Sequence, residues 1–210
     1  VGTALATGIM AAEPTVEAES RPADLPQGHK TNSPRPVTVA AISGGLENHV
    51  GGGTMTTKCN VDRAIGCMKR LASCKPDLIV LTEHFHNAAV PGSEKDQGIA
   101  ADHEIVQQIA AAAKSLHANV ICPIRQRRGN RSFNTALWLD RTGRVAGRYD
   151  KIHPTESEID EGVTCGAVEP SILNMDFGRV GVQICFDLNW PAGWSALRKA
   201  GAEIIAWPSA

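Results

Sequence analysis

The chain has 210 residues, a formal net charge of −1 and an apolar content of 42%. That length suits one domain with a sizeable core, and the charge balance excludes bulk attraction to nucleic acid or anionic lipid. No run reaches the roughly 18 apolar residues that a membrane-spanning helix needs, so no membrane partner is expected.

Residues 1–12, "VGTALATGIMAA", resemble the apolar part of a secretory signal without its basic start. A signal remnant and a plain leader stand level, so an exported and a cytoplasmic location both remain open. Residues 13–36 are Pro-rich, polar and aperiodic, and read as a linker to one globular unit, residues 37–210. A short strand over 37–43 opens that unit. The Gly-rich stretch after it has neither GxGxxG nor GxxxxGK[ST] spacing, which removes the case for a phosphate cradle.

Apolar residues at 61, 64, 65, 68, 71 and 72 predict a helix over 61–74, and "PDLIVLTE" (76–83) predicts a buried strand ending on an acid. A second amphipathic helix follows over 102–117, then a strand over 119–124. Paired strands are expected over 132–140 and 144–151, with a turn at Arg141–Gly143, and a further hairpin over 171–177 and 179–186. A short helix near 192–200 and a strand over 203–209 complete the pattern. Strands alternating with helices and mixed with hairpins indicate an α/β layer protein with a mixed sheet. Arg125, Arg127, Arg128 and Arg131 form the one basic cluster, expected at a solvated hairpin tip.

The six cysteines (59, 67, 74, 122, 165 and 185) include no CxxC pair, and a chain this long folds without staples. They are expected to be reduced, with Cys67 and Cys74 sharing a face of the first helix. No HExxH or paired Cys/His spacing supports a metal site, and no cofactor is expected.

In three places an apolar run ends on a chemically capable residue: Glu83 after "LIVLT", Lys151 after "GRYD" and Cys185 after "GVQI". Strand ends in an open α/β sheet converge on the crevice where ligands bind. A thiolate nucleophile needs a base or a cation beside it, a shielded carboxylate can serve as that base, and a lysine can hold an oxyanion. His84, His86 and His153 flank the same strand ends and offer Cys–His alternatives, although supporting or surface roles suit them better.

Those three segments, "PDLIVLTE", "GRYDKIHPT" and "GVQICFDLNWP", resemble the signature segments of the carbon–nitrogen hydrolase (nitrilase) superfamily in their usual order. The likeness runs from about residue 37 to the end, through "GAEIIAWPSA". It implies an α-β-β-α sandwich that pairs as a homodimer or higher homo-oligomer, and hydrolysis of a non-peptide C–N bond through a thioester. By position, Cys185 is the implied nucleophile, Glu83 the general base and acid, and Lys151 the oxyanion stabiliser. A second glutamate is best matched by Glu158, with Glu156 and Glu161 as competitors. The N–H of Phe186 is the implied further oxyanion donor, while Asp187 and Trp190 fix the turn and wall the pocket.

Two departures stand out. Thr82 replaces the usual Pro before the first glutamate, and Cys185-Phe186-Asp187 replaces the Cys-Trp-Glu of nitrilases proper. The second leans toward an amidase or N-carbamoyl hydrolase, with a small amide or carbamoyl compound as substrate. Members of the superfamily continue past the segment matching Ala210, so this chain is expected to be a fragment whose own activity is open. A catalytically silent interaction protein and an acyltransferase of the same superfamily remain as alternatives.

Overall fold

Leu78–Leu81 and the first half of Asn119–Arg128 are apolar at nearly every position because both of their faces are covered. Ile79, Leu81, Val120, Cys122 and Ile124 face one core, whereas Leu78 and Ile121 face another. The computed structural model describes residues 35–43, 55–91 and 98–210. Residues 1–12, nearly all of the linker and the Gly-rich loop lie outside the described residues.

The elements in chain order are β1 (Val39–Ile42), α1 (Thr57–Arg70), β2 (Leu78–Leu81), α2 (Glu104–Leu116), β3 (Asn119–Arg128) and β4 (Arg131–Leu139). They continue with β5 (Val145–Asp150), α3 (Glu156–Asp160), β6 (Ile172–Met175), β7 (Gly178–Val182), α4 (Pro191–Lys199) and β8 (Ile204–Ala206). A five-stranded sheet runs β1-β2-β3-β4-β5, parallel through β3 and antiparallel after it. A three-stranded sheet runs β6-β7-β8.

α1 and α2 cover the outer face of the large sheet through Val61, Met68, Val106 and Ile109. The two sheets meet through Ile121, Ala136, Trp138 and Tyr149 on one side and Leu173, Met175, Val180 and Val182 on the other. α4 lies over the outer face of the small sheet, where a Cβ on Gly181 would come 3.0 Å from Leu197. The layers are therefore α-β-β-α, as the resemblance implied.

Several boundaries differ from the sequence pattern. α1 starts four residues early because Thr56 caps it, accepting from the N–H of Cys59. It ends at Arg70, so Cys74 falls in a separate exposed turn rather than on the face of Cys67. All six cysteines are free thiols, and only Cys122 is fully buried, which pushes its thiol up. β7 stops at Val182, short of the expected 186, since the chain leaves the small sheet to enter a 3-10 turn at Cys185–Asn189. α3 has too little apolar periodicity to announce itself. The basic cluster does flank a hairpin tip, but Arg125 is pulled inside, and Arg128 turns in to pair with Asp150 and lie over the Phe133 ring.

Ile121 has no exposed surface and stands between the two sheets. Ile121→Ala should cost about 2–5 kcal/mol of stability by opening a cavity there, read as a shifted midpoint in urea unfolding.

Candidate functional site

The three residues flagged at strand ends meet. Glu83 lies two residues beyond β2, Lys151 directly after β5, and Cys185 three residues beyond β7. They line one cavity of about 230 Å³ together with His84, Asn87, Arg125, Thr155, Glu158 and others.

Lys151 is the centre of that site and only 1% exposed. Its Nζ donates to Glu83 Oε1 at 3.0 Å and to Glu158 Oε2 at 2.7 Å. Burial works against its charge, but the attraction of Glu83 and the bonds to both carboxylates outweigh it and hold the Lys151 pKa above the ordinary lysine value. Of the three candidate second glutamates, Glu158 is the one that meets the lysine. Glu156 opens α3, and Glu161 pairs with Arg125 at 2.7 Å.

Glu158 is held by local sequence logic. Thr155 caps α3 and accepts from the Glu158 N–H, while Glu158 Oε2 accepts from the Thr155 N–H at 2.8 Å. Burial alone would raise its pKa, yet His84, Lys151, the Thr155 N–H and Asn134 together hold its carboxyl well below the usual range.

Cys185 adopts φ 41°, a left-handed backbone that non-glycine residues hold only when their surroundings enforce it. Its N–H donates to the Pro208 carbonyl at 2.9 Å, and Trp207 Nε1 donates to its carbonyl at 3.0 Å. Thr82 Oγ1 donates to the Ser209 carbonyl at 2.6 Å, tying the Glu83 segment to the same strand end. Thr82 therefore does at this position what a proline could not. Burial pushes the Cys185 thiol up and Glu83 adds to that, against the opposing effects of Ser209 and Lys151.

Phe186 and Trp190 pack edge to face at 5.1 Å, and Trp190 stacks on His153 at 3.9 Å. Trp190 is thus placed against His153 and does not line the described cavity. Asp187 is buried behind the turn, where His153 Nδ1 meets it at 2.9 Å. Of the other histidines, His84 approaches Asn134 at 3.3 Å, whereas both ring nitrogens of His86 are buried without a hydrogen-bond partner among the described residues. Burial, with His84 and His103 nearby, lowers the His86 pKa to about 3 and keeps that ring neutral.

Two site residues escaped the sequence pattern. Asn134 Nδ2 donates to Glu83 Oε1 and to Glu158 Oε1, both at 2.7 Å, completing the ring around the lysine. Its one signal was an asparagine inside the strand run "SFNTALWL", where propensity disfavours it. Arg125 was legible only as part of a basic cluster. Glu83, His84 and Glu158 also place ligand atoms within 4.8 Å of one another, a set able to hold a cation. The Lys151 ammonium already stands between the two carboxylates and supplies that charge.

The family model described as "Carbon-nitrogen hydrolase" matches residues 40–209. The chain belongs to this family. Among curated relatives, the chloroplastic omega-amidase of Arabidopsis thaliana is 27% identical over 171 residues, covering 75% of this chain and 46% of that protein. The deaminated glutathione amidase of Yersinia enterocolitica is 36% identical over 84 residues, covering 36% of this chain and 29% of that protein. The chain thus spans less than half the length of these relatives. An amidase from Nesterenkonia sp. AN1, solved as a double mutant in complex with acrylamide, superposes with a TM-score of 0.70 at 17% identity, covering 84% of this chain and 67% of that one. A carbon-nitrogen hydrolase from Helicobacter pylori G27 superposes at 0.67 and 17% identity, covering 82% and 59%. At these identities the superpositions speak for the fold.

The lysine's charge makes a signed prediction. Glu158 has a depressed folded-state pKa, so it stabilises the wild type above the ordinary Glu pKa of about 4.3, and that contribution is lost as pH falls toward the folded value. Lys151→Met leaves two buried carboxylates facing each other, which should cost about 3–5 kcal/mol at neutral pH. Their pKa values then rise, so the variant should recover stability on acidification from pH 7 to 5 while the wild type does not. Urea unfolding at several pH values reads both slopes.

Proposed function

We propose that this protein hydrolyses the C–N bond of a small amide or N-carbamoyl compound. Cys185 is the nucleophile, Glu83 the proton carrier and Lys151 the oxyanion partner. The observation that carries this reading is the buried lysine pinned between Glu83 and Glu158 on the wall of the cavity that Cys185 also lines. The cavity's volume of about 230 Å³ is at the small end for ligand sites, which favours a compact substrate.

In the first step Glu83 takes the Sγ proton as sulfur adds to the substrate carbonyl carbon. The oxygen's new negative charge falls to the Lys151 ammonium and to the N–H of Phe186, the second residue of the 3-10 turn, where no earlier carbonyl of that turn can take it. Collapse breaks the C–N bond, Glu83 returns its proton to the departing nitrogen, and a thioester remains. Water, deprotonated by Glu83, then attacks the thioester, and the acid product leaves as Cys185 regains its proton. Glu158 touches no reacting atom in this scheme; with Asn134 it holds the lysine charged and in place.

The amide over the nitrile branch is favoured by Cys185-Phe186-Asp187 and by relatives named as amidases. An acyltransferase would share the thioester but pass it to an amine or lipid. Among the described residues no helix is long and apolar enough to cross a membrane.

Short amides, N-carbamoyl amino acids and nitriles should be screened for ammonia release, using the protein expressed from its full open reading frame. Wild type should release ammonia from at least one amide or carbamoyl compound and show an acyl adduct by intact mass. Cys185→Ala should do neither, with a loss of at least about 10³-fold. Equal activity in the two proteins would sink the proposal.

A further inference from the structure

Asp187 has no exposed surface, yet its side chain lines no part of the cavity. Four donors converge on its two oxygens. Oδ2 accepts from the Tyr149 hydroxyl at 2.7 Å and from the Ile184 N–H at 3.0 Å. Oδ1 accepts from the His153 N–H at 2.9 Å and meets His153 Nδ1 at 2.9 Å. A carboxylate can only accept, so Nδ1 carries the proton of that imidazole.

The donors come from two places in the chain, each flanking one candidate catalytic group. Tyr149 and His153 stand two residues before and two residues after Lys151. Ile184 stands immediately before Cys185, and Asp187 itself two residues after it. We infer that Asp187 is a positioning residue: its carboxylate bolts the chain on both sides of Lys151 to the chain on both sides of Cys185 and so sets their separation. The inference rests on the proposed roles of those two residues.

Two further contacts point the same way. The Asp187 N–H donates to the Ile184 carbonyl at 2.9 Å, so the turn that holds Cys185 at positive φ is closed by backbone and side chain of one residue. His153 stacks on Trp190 with its ring plane tilted by only 2°, adding a second attachment between the same two segments. Burial and the neighbouring Asp187 push the Tyr149 phenol up, so it remains a donor. A carboxylate wanted only to satisfy the turn would need the Ile184 N–H and a water. Here three of its four partners come from the lysine's strand and the loop after it.

Asp187→Asn keeps the shape but replaces one oxygen by an amide nitrogen. Whichever way that amide turns, its N–H faces a backbone N–H, that of Ile184 or that of His153. Tyr149→Phe removes a single donor and leaves the other three, so it carries the test should Asp187→Asn fail to fold. Both variants should be compared with wild type in kcat and KM on the best amide, with the fraction of reactive Cys185 counted by peptide mass mapping after iodoacetamide, which separates it from the other free thiols. A misplacement of the order of 1 Å costs about 100-fold, so Asp187→Asn should lower kcat per reactive site by about that factor with KM changed less than about threefold. Tyr149→Phe should lower kcat about tenfold in the same pattern. Loss confined to KM or to the count of reactive sites, or wild-type kcat in both variants, overturns the clamp and leaves the proposed hydrolase standing. A wild type that releases no ammonia from any substrate overturns both.

Discussion

A lysine ammonium buried between two carboxylates is the constraint that the rest of the molecule accommodates. The ammonium stands within 3.0 Å of both carboxylates, and all three charges are almost out of water, which is costly unless their remaining polar atoms find partners. Asn134, the Thr155 N–H and the Ala210 N–H, which reaches Glu83 Oε2 at 3.2 Å, supply those partners from three further segments. The trio can form only where the ends of β2 and β5 and the start of α3 meet. The register of the large sheet arranges this, pairing Thr135 beside Asn134 with Asp150 beside Lys151. Gly166 makes the meeting possible on the other side: a Cβ there would stand 2.2 Å from the Asp150 carbonyl, directly before the lysine.

The three strand-end residues were legible because strands and helices alternate with clear periods, and a polar residue ending an apolar run is a local event in sequence. Glu83, Lys151 and Cys185 each announced themselves that way, and the α-β-β-α layering followed from the resemblance their segments carry. Asn134 did not, because a single asparagine in a strand has no partner visible along the chain; its partners lie 51 and 24 residues away. Arg125 was hidden by its neighbours, since four arginines around one turn look alike until packing selects which is drawn inside. The end of β7 was misplaced for a related reason. Gln183 and Ile184 continue the strand pattern, and only the Asp187 bonds to Ile184 and Tyr149 show why the backbone turns where it does.

The two carboxylates that share the lysine are not equivalent, and the difference matches the roles proposed for them. Glu158 receives donors on both oxygens, Asn134 on Oε1 and Lys151 with the Thr155 N–H on Oε2, and with His84 beside it these hold its carboxyl far down against the effect of burial. A group so strongly committed to its ionised form makes a poor proton carrier and a good counter-charge. Glu83 spends Oε1 on Lys151 and Asn134, while Oε2 has one long backbone donor and the carboxyl reaches the Cys185 thiol. Two residues that line the cavity with Glu83 have left-handed backbones, His84 at φ 53° and Cys185 at φ 41°. On the proposed roles, the backbone at these two positions presents the base and the nucleophile to the same cavity, and the bonds of Asn134 and Asp187 hold their segments in place.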